Sequence, residues 1–291
     1  MNHKLLAMGL AFGMTMSLAA CSGGSTSASS STDASATGST AGSSASSSSA
    51  AGSASASFTT VEEGKLIMAT NAQFPPYEMV ADGDGVYQGF EGIDVELAVA
   101  IADKLGLELV IDDMDFDSAL LAVQNNAADL VLAGLSYSED RDAAMDFTEK
   151  YATGVQVVIV KEGSDVTLDN LGEKMIGTQR GTTGYKYASD TPENGGYGED
   201  HVLGYDSGAL AVQALVNGQV DAVIIDQAPA QEYVAANEGL TILSTEWVVE
   251  DYCIAVDDGN TALLDAVQGA LSELQADGTV DNIIAKYIKA D

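Results

Sequence analysis

Histidine and cysteine are nearly missing from this chain of 291 residues, with two of each. His3 and Cys21 stand at the very start, which leaves His201 and Cys253 for the rest. That is too little for a zinc site, which takes about four ligands, and too little for a disulfide framework. Cys253, inside the apolar run YCIAV, reads as a small buried residue. Basic residues are scarce as well: 11 Lys plus Arg stand against 44 Asp plus Glu, for a net charge of -33. Nucleic-acid phosphates need basic contacts, and so does a polybasic hold on anionic lipid. Both partners are excluded, and no metal or cofactor is expected. DGDGVYQGFEGI (82–93) begins like a calcium loop but lacks Gly at its sixth position and Glu at its twelfth, so it reads as a turn. GYDSG (204–208) has its serine one place off a nucleophile elbow. Arginine occurs twice, at Arg141 and Arg180, so the placement of each asks for a reason.

Long apolar runs are absent too, apart from a stretch of about 16 residues after Lys4, short of the roughly 20 a membrane span needs. Residues 1–20 have the layout of a secretory signal. Leu18-Ala19-Ala20-Cys21 resembles the bacterial lipobox, so Cys21 is expected to be lipidated. From 21 to 57 the chain is almost wholly Ser, Ala, Gly and Thr. Such a segment cannot offset its ordering entropy by burial, and a flexible tether is expected.

The body, 58–291, alternates strand and helix patterns. KLIMAT (65–70) reads as a strand. IDVELAVAIADKL (93–105) reads as a helix with Ile93, Leu97, Ala100, Ile101 and Leu105 on one face, ended by Gly106. LELVI, a helix over 118–124 and a strand over 129–133 follow, and helices are expected near 261–276 and 279–289. This βαβ pattern predicts largely parallel sheets with helices on both faces. ALLAVQNNAADLVLAG (119–134) aligns without gaps with AVQALVNGQVDAVIID (211–226), which suggests two lobes of similar architecture. Both aligned strands end at the carboxyl edge where open α/β sheets bind ligands, so Gly134 and Asp226 would look across one cleft. YATGVQVVIVK (151–161) and EDYCIAV (250–256) are the candidate crossings of a two-strand hinge.

Four positions carry candidate chemistry. Arg141 can present its planar fork to a carboxylate, or it pairs with Glu139, Asp142 or Asp146 on a solvated helix face. Ser136-x-x-Glu139 matches a helix capping box, which would occupy the Ser136 hydroxyl; the other reading leaves it for a ligand. Gly181-Thr182-Thr183-Gly184 opens a helical stretch, where backbone N–H groups suit a carboxylate or simply make a turn. Asp226 either pairs with an ammonium group or caps the helix after it, and the residues alone favour the cap.

Together NAQFPPYE (71–78), GFEGIDVELAVAIADKLG (89–106), MDFDSALLAVQNNAADLVLAGLSYSEDR (114–141), MDFTEKY (145–151), GTQRGTTG (177–184) and ALVNGQVDAVIID (214–226) resemble the family 3 extracellular solute-binding proteins, the amino-acid receptors of ABC importers. The resemblance covers essentially all of 58–291. It implies a two-lobed periplasmic-binding-protein (type II) α/β fold, each lobe a mainly parallel sheet flanked by helices. The lobes are then 58–153 plus 250–291, and 154–249. It implies that Arg141, Ser136 and the Thr182-Thr183 turn hold the α-carboxylate of a free amino acid. Asp226 and the Gly134 carbonyl then hold its ammonium, with Phe74 and Phe116 flanking the side chain. Receptors for basic amino acids carry an acid where this chain has Asn71; a cationic side chain would be buried unpaired there. With Gln179 at a side-chain-reading position, this favours a neutral polar ligand such as glutamine, with cystine also open. Arg180 favours an acidic ligand if it points inward, and is surface if it points outward. The implied partners are a permease and, through Cys21, the outer face of a bacterial cell membrane; the receptor is expected to be monomeric and not an enzyme. The alternative is a dehydratase of the arogenate or prephenate type on the same fold, since fold does not fix function.

Overall fold

Alternating burial explains the first strand, β1 (Lys65–Thr70). Leu66 and Met68 enter one core while Ile67 and Ala69 pack on the other side of the sheet, as the two-residue repeat of a strand requires. The computed structural model describes residues 57–243 and 247–288. The expected leader, Cys21 and the tether up to residue 56 lie outside the described residues.

After β1 comes a small antiparallel meander, β2 (Gln73–Phe74), β3 (Glu78–Val80) and β4 (Phe90–Glu91). The turn expected over 82–93 links and includes β4. Helix α1 (Ile93–Leu105) buries Ile93, Leu97 and Ile101, and ends at Gly106. Strand β5 (Glu108–Asp113), α2 (Phe116–Gln124), β6 (Leu130–Val131), α3 (Glu139–Asp142) and β7 (Met145–Phe147) follow. The chain then crosses into a second sheet through β8 (Ala152–Lys161) and builds β9 (Ile176–Gln179), α4 (Thr183–Ser189) and β10 (Val202–Tyr205). Next come α5 (Gly208–Val216), β11 (Ala222–Asp226), α6 (Gln227–Ala236) and β12 (Leu240–Ile242). It returns through β13 (Val248–Tyr252) to β14 (Ala255–Asp257), α7 (Thr261–Ala276) and α8 (Thr279–Tyr287). No helix among the described residues is long and apolar enough to cross a membrane.

The two large sheets run β5-β1-β6-β14-β7 and β10-β9-β11-β8-β12, with β13 pairing β8. Each has a parallel half running in from one edge, β5-β1-β6 and β10-β9-β11, as the βαβ pattern predicts. The other half of each is antiparallel, so the sheets are less uniformly parallel than that pattern implies. The physical cause is connectivity: β8 and β14 are the strands on which the chain arrives from the other sheet, and they run back along their neighbours. Both faces of each sheet are covered. In the second sheet Val157 and Ile159 of β8 enter one cluster, and Val158 and Val160 another, which is why VQVVIV reads as a nearly unbroken apolar run.

The internal repeat holds element for element: α2–β6 matches α5–β11. Asp129 accepts the Ile67 N–H at 2.7 Å at the third position of β1, and Asp221 accepts the Met175 N–H at 2.9 Å just before β9. The aligned aspartates tie down equivalent strands. Ser207 of the GYDSG stretch caps α5 by accepting from Leu210 N–H, a structural task.

Candidate functional site

The two sheets converge on a narrow cavity. All ten ligand-contact positions expected from the sequence line it: Asn71, Phe74, Phe116, Gly134, Ser136 and Arg141 from the first lobe, and Gln179, Thr182, Thr183 and Asp226 from the second. Ala133 and Glu78 join them. Gly134 is possible there only without a side chain: its φ is +52° and a Cβ would stand 2.6 Å from the Phe74 ring.

Arg141 follows from the loop after β6 and lies over the Phe116 ring, 5.5 Å from its centroid. Its Nη1 donates to Ser136 O at 2.6 Å and its Nη2 to Gly181 O at 2.9 Å, across the cleft. Neither Glu139, Asp142 nor Asp146 pairs with it, so the solvated-face reading is corrected. The capping box on Ser136 is corrected as well. Ser138 is the N-cap of α3 and accepts from Arg141 N–H, while Ser136 Oγ donates to Glu250 at 2.9 Å. Thr182 is the N-cap of α4, and Thr183 begins that helix with its hydroxyl donating to Glu250 at 2.9 Å. The Thr183 N–H belongs to the first turn, whose amides have no partner within a helix.

Asp226 stands at the N-cap position of α6 without capping it. Its carboxylate instead accepts from Tyr252 Oη and, at 2.9 Å, from Gln156 Nε2. Burial pushes its pKa up to about 7, the Tyr252 hydrogen bond opposes this, and the charge of Glu250 adds to it. Gln179 Nε2 donates to Asn71 Oδ1 at 3.1 Å across the cleft. Arg180 points outward, held by Gly204 O and Asp206, so it gives no reason to expect an acidic ligand.

Glu78 ends the motif NAQFPPYE, yet its role is legible only in three dimensions. It is fully buried, and neither carboxyl oxygen meets a donor, nor does Asp94 Oδ1 beside it. Burial, then the neighbouring Asp94, hold Glu78 well above the usual carboxyl range. Asp94 is pushed up to about 6 by burial, against the hydrogen bonds from Gly134 N–H and Tyr151 Oη. A proton shared between Glu78 and Asp94 would join one oxygen of each and leave the second Glu78 oxygen without a donor. Asn71 stands where an acid was looked for, and Glu78 is an acid elsewhere in the same lining. Glu250, Gln156 and Tyr252 also escaped sequence reasoning. Their signal was an acid and an aromatic two residues apart in the crossing EDYCIAV, which places them on one face of a strand.

The sequence pattern of the bacterial extracellular solute-binding proteins, family 3, matches residues 66–290. The chain belongs to this family. The L-cystine-binding protein TcyJ of Escherichia coli K12 is 30% identical over 234 residues, 79% of this chain and 85% of TcyJ. The ABC transporter arginine-binding protein 1 of the same strain is 30% identical over 224 residues, 75% of this chain and 88% of that protein. An ancestral arginine-binding protein, solved with arginine, superposes at a TM-score of 0.70 with 36% identity, covering 77% of this chain and 98% of its own. The family 3 fold is the two-lobed type II arrangement, and the cavity of this member lies between its lobes.

Proposed function

We propose that this protein is the receptor of an amino-acid ABC importer, closing its lobes on a free L-amino acid and delivering it to a membrane permease. One observation carries the reading: a single cavity is lined by Arg141 from one lobe and Asp226 from the other. A carboxylate at the Arg141 fork and the Thr183 N–H, and an ammonium at Asp226 and the Gly134 carbonyl, neutralise both walls of a site that closure removes from water.

For the side chain, Glu78 favours a cation, in the manner of arginine or lysine. With the ligand backbone pairing Arg141 and Asp226, the remaining charge at the wall is acidic, and a guanidinium or ammonium displaces the proton shared by Glu78 and Asp94. The second reading, a neutral polar ligand such as glutamine or cystine, is supported by the paired Asn71 and Gln179 amides. Titration calorimetry of the ligand-stripped protein with arginine, lysine, glutamine and cystine separates them. The cationic reading expects binding of arginine or lysine with uptake of a proton by the buffer, and Glu78→Gln is expected to weaken it about tenfold or more. Tighter binding of glutamine or cystine, unaffected by Glu78→Gln, would reject it.

The remaining parts of the proposal concern anchorage. Residues 1–20 are a lipoprotein leader, Cys21 carries the lipid, and 21–57 is the tether of a monomeric receptor. The lobes are 58–153 with 250–291, and 154–249. Metabolic labelling with a fatty acid, lost in Cys21→Ser, tests the anchor.

A further inference from the structure

Glu250 does not line the cavity, yet it binds two residues that do, Ser136 and Thr183. It lies on β13, paired with Gly154 of β8, in the second crossing between the lobes. Its Oε2 accepts three hydrogen bonds from three parts of the molecule. Ser136 Oγ donates from the first lobe at 2.9 Å, Thr183 Oγ1 from the second lobe at 2.9 Å, and Gln156 Nε2 from β8 at 3.0 Å. The residue is buried, and its Oε1 meets no donor.

A hydroxyl has one proton to donate. With those protons given to Glu250, the Ser136 and Thr183 hydroxyls turn only lone pairs toward the cavity. Carboxylate capture then falls to Arg141 and backbone N–H groups. Ser136 and Thr183 belong to different lobes, so one oxygen can collect both hydroxyls only while the lobes are together. Opening strips at least one donor from a buried carboxylate, and charge-assisted bonds of this kind are the strong ones.

We propose that Glu250 is the positioning residue for closure, the single oxygen on which hydroxyls from both lobes meet, so that shaping the carboxylate site and shutting the cleft are one event. The ligand assignment above is not needed for this, because the contact is made by protein groups alone.

The test pairs Glu250→Gln, which keeps size and one acceptor, with Glu250→Ala. In the ligand-free protein, amide hydrogen exchange of 134–138 and 179–184 is expected to rise about fivefold or more in Glu250→Gln while 65–70 and 222–225 stay as in wild type. With L-arginine followed by stopped-flow fluorescence of Trp247, dissociation is expected to quicken about tenfold and association to change less than about threefold. Thr183→Val added to Glu250→Gln is expected to cost little more than the single change. Exchange that rises everywhere, with a lower thermal midpoint, would mark Glu250 as merely structural and overturn the proposal. Unchanged exchange at 134–138 and 179–184 in Glu250→Gln overturns it as well. Failure of wild type to bind L-arginine counts against the ligand class only, and the exchange experiment still decides the latch.

Discussion

Arg141 and Asp226 show how much a single side chain can be asked to do. Truncating Arg141 to Ala leaves a ligand carboxylate in the closed site without its fork. The expected loss is about 3 kcal/mol, roughly 10²-fold in Kd, and calorimetry on the variant checks it. Asp226 gives a pH signature whose sign follows from burial. Its folded pKa of about 7 lies above the value near 4 of an unfolded aspartate. In the ligand-free protein its stabilising contribution is therefore complete below about pH 4 and is lost as pH rises through 7. The ammonium needs the ionised form, so affinity runs the other way. It is expected to weaken as pH falls below 7, by up to about tenfold per unit, and Asp226→Asn is expected to flatten that profile. Arg141 and Asp226 stood out in the sequence because an arginine is rare here and because the repeat placed Asp226 at a sheet edge, but only the family resemblance implied a ligand for either, since the residues alone favoured a helix cap for Asp226. Glu78 and Glu250 were not, since nothing in one dimension distinguishes a buried acid from the many acids at the surface.

At the scale of elements, the crossing strands carry more than the connection. Gly154 of β8 faces Tyr252, and a Cβ there would come within 2.4 Å of the ring. That ring donates to Asp226 and packs edge-on against Tyr77 at 5.1 Å between centroids. Gly154→Ala is expected to destabilise the protein by about 1–3 kcal/mol through overpacking, measured by urea denaturation, and to weaken ligand binding by shifting Tyr252. Helices were the most legible elements: α1 spans Ile93–Leu105 as its apolar spacing predicts. Short strands were harder, and β6 is only Leu130–Val131 where five residues were expected, because pairing depends on neighbours that a local pattern does not contain. The capping of α3 moved from Ser136 to Ser138 for the same reason: Glu250 competes for the Ser136 hydroxyl from 114 residues away.

For the whole molecule, closure couples the two lobes through Arg141 to Gly181 O, Asn71 to Gln179 and Tyr233 Oη to Gln73 O. A ligand that binds between them binds only the folded state. At about 100 times its dissociation constant it is expected to add roughly 2.7 kcal/mol, a rise of several degrees in thermal midpoint. The proposed cation should show this effect and an acidic amino acid should not, because the walls already carry Glu78 and Asp226. The net charge of -33 adds a general term. Self-repulsion is screened by salt, so the midpoint of the ligand-free protein is expected to rise between about 20 and 200 mM salt.

The sequence by itself determined the two-lobed α/β plan through hydrophobic period and repeat spacing, and its ordered motifs carried the family resemblance that implied the ten cavity positions, because all of these are properties of neighbours along the chain. Only the tertiary structure decided which hydroxyls are free, which way Arg180 points, and that Glu78 and Glu250 are buried against the site. Those are matters of which distant groups share one proton or one low-dielectric space, and that is settled when the lobes and the crossing strands come together.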